Sequence, residues 1–158
     1  MLGTRSAIVM FFAPLILGCV NATGEQNMLE RLNPDGLHPP VGQSLIVVSN
    51  YKRTAYFTAN PLDAEGNLVG GCDFLKQNEQ VFKNIGIALG ELGADHRDII
   101  QMTGYIVNYD ASYHGPLIAE GLARNPPDHE YPATMLLGVE SLARPDILFE
   151  VGLVIGLG

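Results

Sequence analysis

The segment from Ile147 to Leu157 constrains this chain more than any other. Ile147, Phe149, Val151, Leu153, Ile155 and Leu157 recur with a period of two, so an extended backbone puts them all on one face, and that face is wholly apolar. The other face reads Leu148, Glu150, Gly152, Val154 and Gly156: small, half apolar, with a single carboxylate. An apolar strand face needs a cover, and the helical patterns elsewhere in the chain can supply one. Two helices, however, cover only one face of a sheet. The second face resembles neither a solvated surface nor a core, and is expected to pack against another subunit. Glu150 would then lie at or near a subunit interface, where an unpaired carboxylate is unfavourable unless something binds it. The plainer reading has Glu150 facing water or a nearby arginine.

The remaining elements are read from periodicity and turn residues. Residues 23–43 are polar and broken by Asn33-Pro34-Asp35-Gly36 and Pro39-Pro40, which predicts an irregular lead-in. Ser44 to Ser49 and Thr54 to Asn60 read as two strands of a hairpin around Asn50 to Arg53. Asp73 is a helix N-cap, Val81, Ile85, Ala88, Leu89 and Leu92 form the buried stripe, and Gly93 closes the helix. Asp98 to Tyr109 is a long strand. Ser112 to Arg124 is a shorter helix, interrupted at Gly115-Pro116 and ended by Asn125-Pro126-Pro127. Ala133 to Val139 and Ile147 to Leu157 are the last strands. The order is ββαβαββ: an α+β domain over 44–158 with one mixed sheet and two helices on one face.

The first 22 residues do not belong to that domain. Arg5 precedes an apolar run from Ala7 to Val20, about 21 Å of helix and too short for a hydrocarbon core of roughly 30 Å. With Val20-Asn21-Ala22 as a small-residue cleavage site, residues 1–22 read as a secretory signal. Ile16-Leu17-Gly18-Cys19 also resembles a bacterial lipobox, with Cys19 as the lipidated residue. The expected location is therefore periplasmic or secreted, with any membrane contact made through a lipid anchor at Cys19.

Charge excludes further classes. With 9 Lys and Arg against 17 Asp and Glu, the net charge is −8. Phosphate backbones are bound by Lys and Arg that displace counterions, so nucleic acid is not an expected partner. The 4 His are scattered and the 2 Cys are far apart, so neither a metal site nor a disulfide framework is expected. Asp63 to Asn67 has too few acids for a calcium loop. No phosphate loop or serine-nucleophile elbow is present. Cys72 stands just before a helix N-terminus and reads as a structural, half-buried thiol. His114 reads as a solvated side chain.

Gln77-x-x-Gln80-x-x-x-Asn84 lies on a helix closed by Gly93-Ala94. Asp98-Ile99-Ile100 leads a strand, Tyr131-Pro132-Ala133 precedes another, and Phe149-Glu150-Val151 sits on the last. Asn33-Pro34-Asp35-Gly36 with Gly42 completes the set. In order and spacing these motifs resemble the Rid (reactive intermediate deaminase, YjgF) family from about Asn33 to the C-terminus. The resemblance implies a chorismate-mutase-like fold assembled as a homotrimer with clefts between subunits. It also implies hydrolysis of 2-imino acids to 2-keto acids and ammonia without cofactor or metal. Such a site needs a guanidinium to grip the substrate carboxylate and a carboxylate to direct water at the C=N carbon.

Glu150 matches the family's catalytic glutamate. The arginine that follows the Pro-Ala pair in the family is Thr134 here, the tyrosine of an early strand falls near Gln43, and an asparagine of the second helix falls on Leu117. Arg53, Arg97, Arg124 and Arg144 sit in predicted turns or helix ends, and of these Arg144 is the one within reach of a cleft. The water-handling half of the site is thus retained and the carboxylate-gripping half is not. The first expectation is a trimeric protein binding a small neutral or aromatic metabolite in its clefts, with Tyr105 and Tyr109 on one strand face lining the pocket. The alternative is an imine or enamine hydrolase with an altered substrate, in which Glu150 orients water and Thr134 and Asn60 give neutral contacts. Endoribonuclease activity, sometimes attached to the family, is opposed by the acidic balance and by the lack of a His-His or His-Lys pair.

Overall fold

Burial alternates residue by residue along the last strand. Phe149, Val151, Leu153 and Ile155 are each no more than 5% exposed, while Glu150, Gly152 and Val154 between them are only half-buried. That strand is the centre of a computed structural model describing residues 28–123 and 129–158. The signal segment, Cys19 and the stretch from Arg124 to Pro127 lie outside the described residues.

In chain order the elements are β1 (Leu29–Leu32), β2 (Ile46–Ser49), β3 (Arg53–Ala59), α1 (Phe74–Leu92), β4 (Ile99–Val107), α2 (Ala111–Ala123), β5 (Ala133–Val139) and β6 (Phe149–Leu157). A four-stranded sheet runs β3-β6-β4-β5, with β4 and β5 parallel and the other pairs antiparallel. The architecture is α+β with two helices over a mixed sheet, as the periodicity requires.

Helix α1 begins where Asp73 accepts hydrogen bonds from the Leu75 and Lys76 N–H groups, at 3.0 and 3.3 Å. It ends at Gly93, which takes the left-handed conformation with φ 63°. Its buried side chains are Phe74, Gln77, Val81, Ile85 and Leu89, at the three- and four-residue spacing of one helical face. They meet Val151, Leu153 and Ile155 in the core, against which Leu117 and Ile118 of α2 also pack. Both helices therefore lie on the same side of the sheet. Leu92, expected on the α1 stripe, is 38% exposed, because the last turn runs past the final core residue Leu89. Pro116 lies inside α2 without ending it.

Two expectations are corrected. The lead-in is not irregular throughout: β1 lies within it, pairs antiparallel with β2 and buries Leu29. Four alternating residues among turn-formers gave too short a pattern to read. Nor do β2 and β3 form a hairpin. β2 leaves with β1 as a separate two-stranded ribbon, while β3 pairs with β6. One mixed sheet thus becomes a mixed sheet plus a ribbon, and the order gains a leading strand. The ribbon is fixed by Arg31, whose guanidinium donates to the carbonyls of Tyr131 and Arg97 and to Glu130, at 3.2, 2.7 and 3.0 Å.

Candidate functional site

Cross-strand register sets which side chains share the face of the sheet opposite the helices. Glu150 of β6 is directly opposite Tyr105 of β4, Gly152 opposite Thr103, and Val154 opposite Gln101. On the other flank of β6, Gly152 meets Thr58 and Val154 meets Tyr56. β5 adds Leu137 beside Tyr105 and Met135 beside Thr103. In the single chain this face stays open: Tyr56 is 80% exposed, Met135 52% and Leu137 41%. A shallow cavity of about 300 Å³ lies on it, lined among others by Tyr56, Thr58, Thr103, Tyr105, Gly152 and Val154.

Glu150 is one residue pair beyond that cavity. Its carboxylate has no hydrogen-bond partner among the described residues, and burial pushes its pKa above the ordinary glutamate value. Directly opposed residues in an antiparallel pair lie about 5 Å apart at Cβ, so Tyr105 and Glu150 are neighbours on the open face. Asn60 follows the last β3–β6 pair, Ala59 with Val151, and so continues the strand toward Glu150. Its carbonyl is held by the Asn84 side chain at 2.9 Å. Tyr105, Glu150 and Asn60 therefore gather at one end of the sheet.

Thr134 and Gln43 belong to a different place. Thr134 pairs with Met102, which pairs with Leu153, so Thr134 belongs to the helix-side rows and not to the open face. Its hydroxyl donates to the Pro132 carbonyl at 3.2 Å. Met102 and Tyr105 are three residues apart on β4, about 10 Å at strand rise. Gln43 is next to Ser44, which bridges to Ala133 and donates to the Tyr131 carbonyl at 2.7 Å. Within one protomer, Thr134 and Gln43 are thus neighbours at the start of β5, and Thr134 is on the side of the sheet away from Glu150.

Two of the arginines singled out above are held by local partners, while Arg53 opens β3 opposite Leu157, in a helix-side row. Arg144 forms a two-pronged pair with Asp146, at 3.1 and 2.7 Å, and Arg97 grips Asp95 in the same way. Arg97 and its neighbours hold the Asp95 carboxyl down at about 2. Arg31, which sequence reasoning passed over, is near the Tyr131-Pro132-Ala133 segment, but its guanidinium is committed to carbonyls there. Among the described residues no Lys or Arg belongs to the rows that form the open face.

Gln77, Gln80 and Asn84 of α1 do structural chemistry. Gln77 is fully buried; its amide donates to the carbonyls of Gly71 and Asp146, and its carbonyl accepts from the Leu148 N–H at 2.7 Å. Gln80 and Asn84 bond one another at 2.9 Å and hold the carbonyls of Leu62 and Asn60. Together these side chains clasp three loops, at residues 60–62, Gly71 and residues 146–148.

Three further expectations change. Tyr109 does not share a face with Tyr105. Strand β4 ends at Val107, Asn108 turns the chain with φ 50°, and Tyr109 stacks on His114 at 5.4 Å. His114, expected in solvent, is 6% exposed. Cys72, expected half-buried, is exposed.

Comparison with known proteins agrees with this geometry. The family model described as Endoribonuclease L-PSP matches residues 47–155. No curated protein matches. Among solved structures, YyfB from Yersinia pestis, described as a protein of unknown function of the conserved Rid family, is 28% identical. The match covers 82% of this chain and 99% of that one, with a TM-score of 0.74. YyfA from the same organism, of the same family, is 23% identical over 82% and 99%, with a TM-score of 0.55. A YjgF-family protein from Neisseria meningitidis, 19% identical over 84% and 98% with a TM-score of 0.52, shares the fold. With residues 47–155, about two-thirds of its length, matched by the family model, the chain belongs to the Endoribonuclease L-PSP family, the Rid or YjgF proteins.

Proposed function

We propose that this protein is a Rid-type homotrimer that binds a small neutral or aromatic metabolite in clefts between subunits, beside Tyr105 and Glu150, and that standard 2-imino acid deamination is not its activity. The observation that carries the proposal is a half-buried Glu150, without a hydrogen-bond partner, opposite Tyr105 on a face that has no Lys or Arg among its rows. A carboxylate substrate brought there meets a like charge and no cation, an unfavourable encounter of order 1 kcal/mol even when largely screened. A neutral ligand with a hydrogen-bond donor meets an acceptor that lacks one, and an aromatic ring meets Tyr105. The exposed Tyr56, Met135 and Leu137 supply the apolar area that a neighbouring copy would cover. Thr134, at the position of the family's arginine, offers a hydroxyl already bonded to Pro132.

A second reading follows from the raised pKa of Glu150. A carboxyl group poised above its ordinary range is suited to proton transfer, so hydrolysis of a neutral imine or enamine, with Glu150 directing water, is the alternative. We place the mature form outside the cytoplasm, on the signal-like segment at 1–22; sequencing of the native N-terminus tests this.

Ammonia release from freshly generated 2-iminobutanoate tests the main reading. The expected result is no acceleration over buffer. Release that Glu150→Gln abolishes would overturn the proposal in favour of the family's standard reaction. Light scattering on the mature protein is expected to give three times the monomer mass, and a monomer would remove the clefts.

A further inference from the structure

A larger cavity, about 650 Å³, lies away from the open face where α1 begins, lined by Cys72, Asp73, Phe74, Tyr113, His114 and Leu148 among others. That volume is in the range of small-molecule sites. Gln77 builds one wall by tying the Gly71 carbonyl to the Asp146 carbonyl and the Leu148 N–H.

The imidazole of His114 is 6% exposed and set among aromatic rings: Phe74 and Tyr113 edge-on at 4.7 and 4.9 Å, and Tyr109 stacked at 5.4 Å. Its Nδ1 accepts from the Asp110 N–H at 3.0 Å. The Asp110 carbonyl, also near Nδ1, is already occupied by the Tyr113 and His114 backbone N–H groups, so the ring proton belongs on Nε2. Nε2 has no hydrogen-bond partner. Among the described residues no fully enclosed side-chain nitrogen or oxygen lacks one, so Nε2 opens on the cavity. Cys72, a free and exposed cysteine, lines the same cavity. A nucleophile, an unspent buried donor and an aromatic wall thus share one site, and none of them takes part in the chemistry around Glu150.

We infer that this cavity takes small aryl-substituted α,β-unsaturated ketones or aldehydes, with the ring against Tyr113 and Phe74, the carbonyl oxygen on His114 Nε2–H, and Cys72 adding to the alkene. In that step the sulfur forms a bond to the β-carbon and the alkene pair moves onto the carbonyl oxygen as an enolate, which the Nε2–H hydrogen bond stabilises. The thiol proton ends on the α-carbon. Nothing is oxidised and nothing leaves.

The test is labelling of the full-length protein with 4-phenylbut-3-en-2-one and with but-3-en-2-one, read by intact mass and peptide mapping, with glutathione as the reference thiol. The expected result is a single adduct at Cys72, with an aryl-to-alkyl rate ratio about tenfold above that of glutathione. Cys72→Ser abolishes the adduct. His114→Leu slows both probes; because it alters a buried residue, the exposed Tyr113→Ala supplies the independent arm and lowers the aryl preference toward that of glutathione. A ratio equal to that of glutathione, a ratio unmoved by Tyr113→Ala, or labelling at Cys19 alone would overturn the inference.

Discussion

The ring of Tyr51 occupies the space that a side chain at Gly156 would need. A Cβ placed at Gly156 falls well inside contact distance of the Tyr51 ring, and the Tyr51 hydroxyl donates to the Asp98 carboxylate beyond it. One of the small residues on the open face of β6 is therefore small for an intramolecular reason. Gly156→Ala is expected to destabilise the protein by about 1–3 kcal/mol through overpacking. Tyr51→Ala in the same chain should remove most of that penalty. Urea unfolding of the two single variants and the double variant measures the coupling, and additive effects would contradict the contact.

The same contact predicts an alkaline signature. Burial, then the hydrogen bond to Asp98 and its charge, push the Tyr51 phenol up to about 12. The folded state holds this proton more tightly than the unfolded chain. The contribution is therefore complete below about pH 10 and is lost as the pH rises toward 12. Ultraviolet titration should show a late phenol phase from Tyr51, shifted downward in Asp98→Asn.

Gln77 is expected to be the most sensitive polar residue of α1. Gln77→Leu leaves two carbonyls and one N–H without their partner in a buried setting, a loss of about 2–4 kcal/mol. Gln80→Ala, at the partly buried end of the clasp, should lose about 1 kcal/mol. Equal losses in denaturant melts would refute the ranking.

The sequence made the β6 alternation, the Asp73 and Gly93 ends of α1 and the span of β5 legible because each is a local pattern with a local cause. Position in the sheet is not local. The ribbon of β1 and β2 is tied to the rest of the fold by Arg31, which reaches residues 66 to 100 positions away, and no spacing reveals such a contact. That Thr134 and Glu150 lie on opposite faces of one protomer's sheet is hidden for a related reason: a motif position gives a residue's strand, whereas its face follows from register with Met102 and Leu153. Alternation along β6 puts Glu150 on the face opposite the apolar row, whereas the side taken by Tyr105 follows from its register opposite Glu150. His114 was misread because its burial comes from Phe74, far away in sequence.

Gly152 separates an intrachain role from an intermolecular one. A Cβ there meets only the Thr103 carbonyl oxygen at 4.0 Å, an ordinary contact, and its backbone needs no left-handed conformation. Gly152→Val should therefore keep the stability of the isolated fold within about 1 kcal/mol, since strand interiors favour β-branched residues. On the proposed trimer it should nevertheless fill the cavity beside Tyr105 and lower the assembled mass or the uptake of ligand, measured by light scattering and by tyrosine fluorescence. A variant that assembles and binds unchanged would place the subunit surface elsewhere.

Glu150 allows the pH dependence to be worked through. Its folded pKa is raised by burial, so between the ordinary glutamate value of about 4.3 and the raised value the folded state holds a proton that the unfolded chain releases. Stability then falls as the pH rises through that window and stays lower above it, because the charged form is the desolvated one. Glu150→Gln removes the charge while keeping the shape. The variant is expected to be more stable than the unaltered protein at pH 7, by about 1 kcal/mol or less given the partial exposure, and indistinguishable from it below about pH 4. Thermal melts of both proteins at the two pH values make the comparison. A variant less stable at pH 7 would mean that the carboxylate has a cationic or donor partner across a subunit boundary. The case for a neutral ligand with its own donor would then fail, because the acceptor it relies on would already be taken.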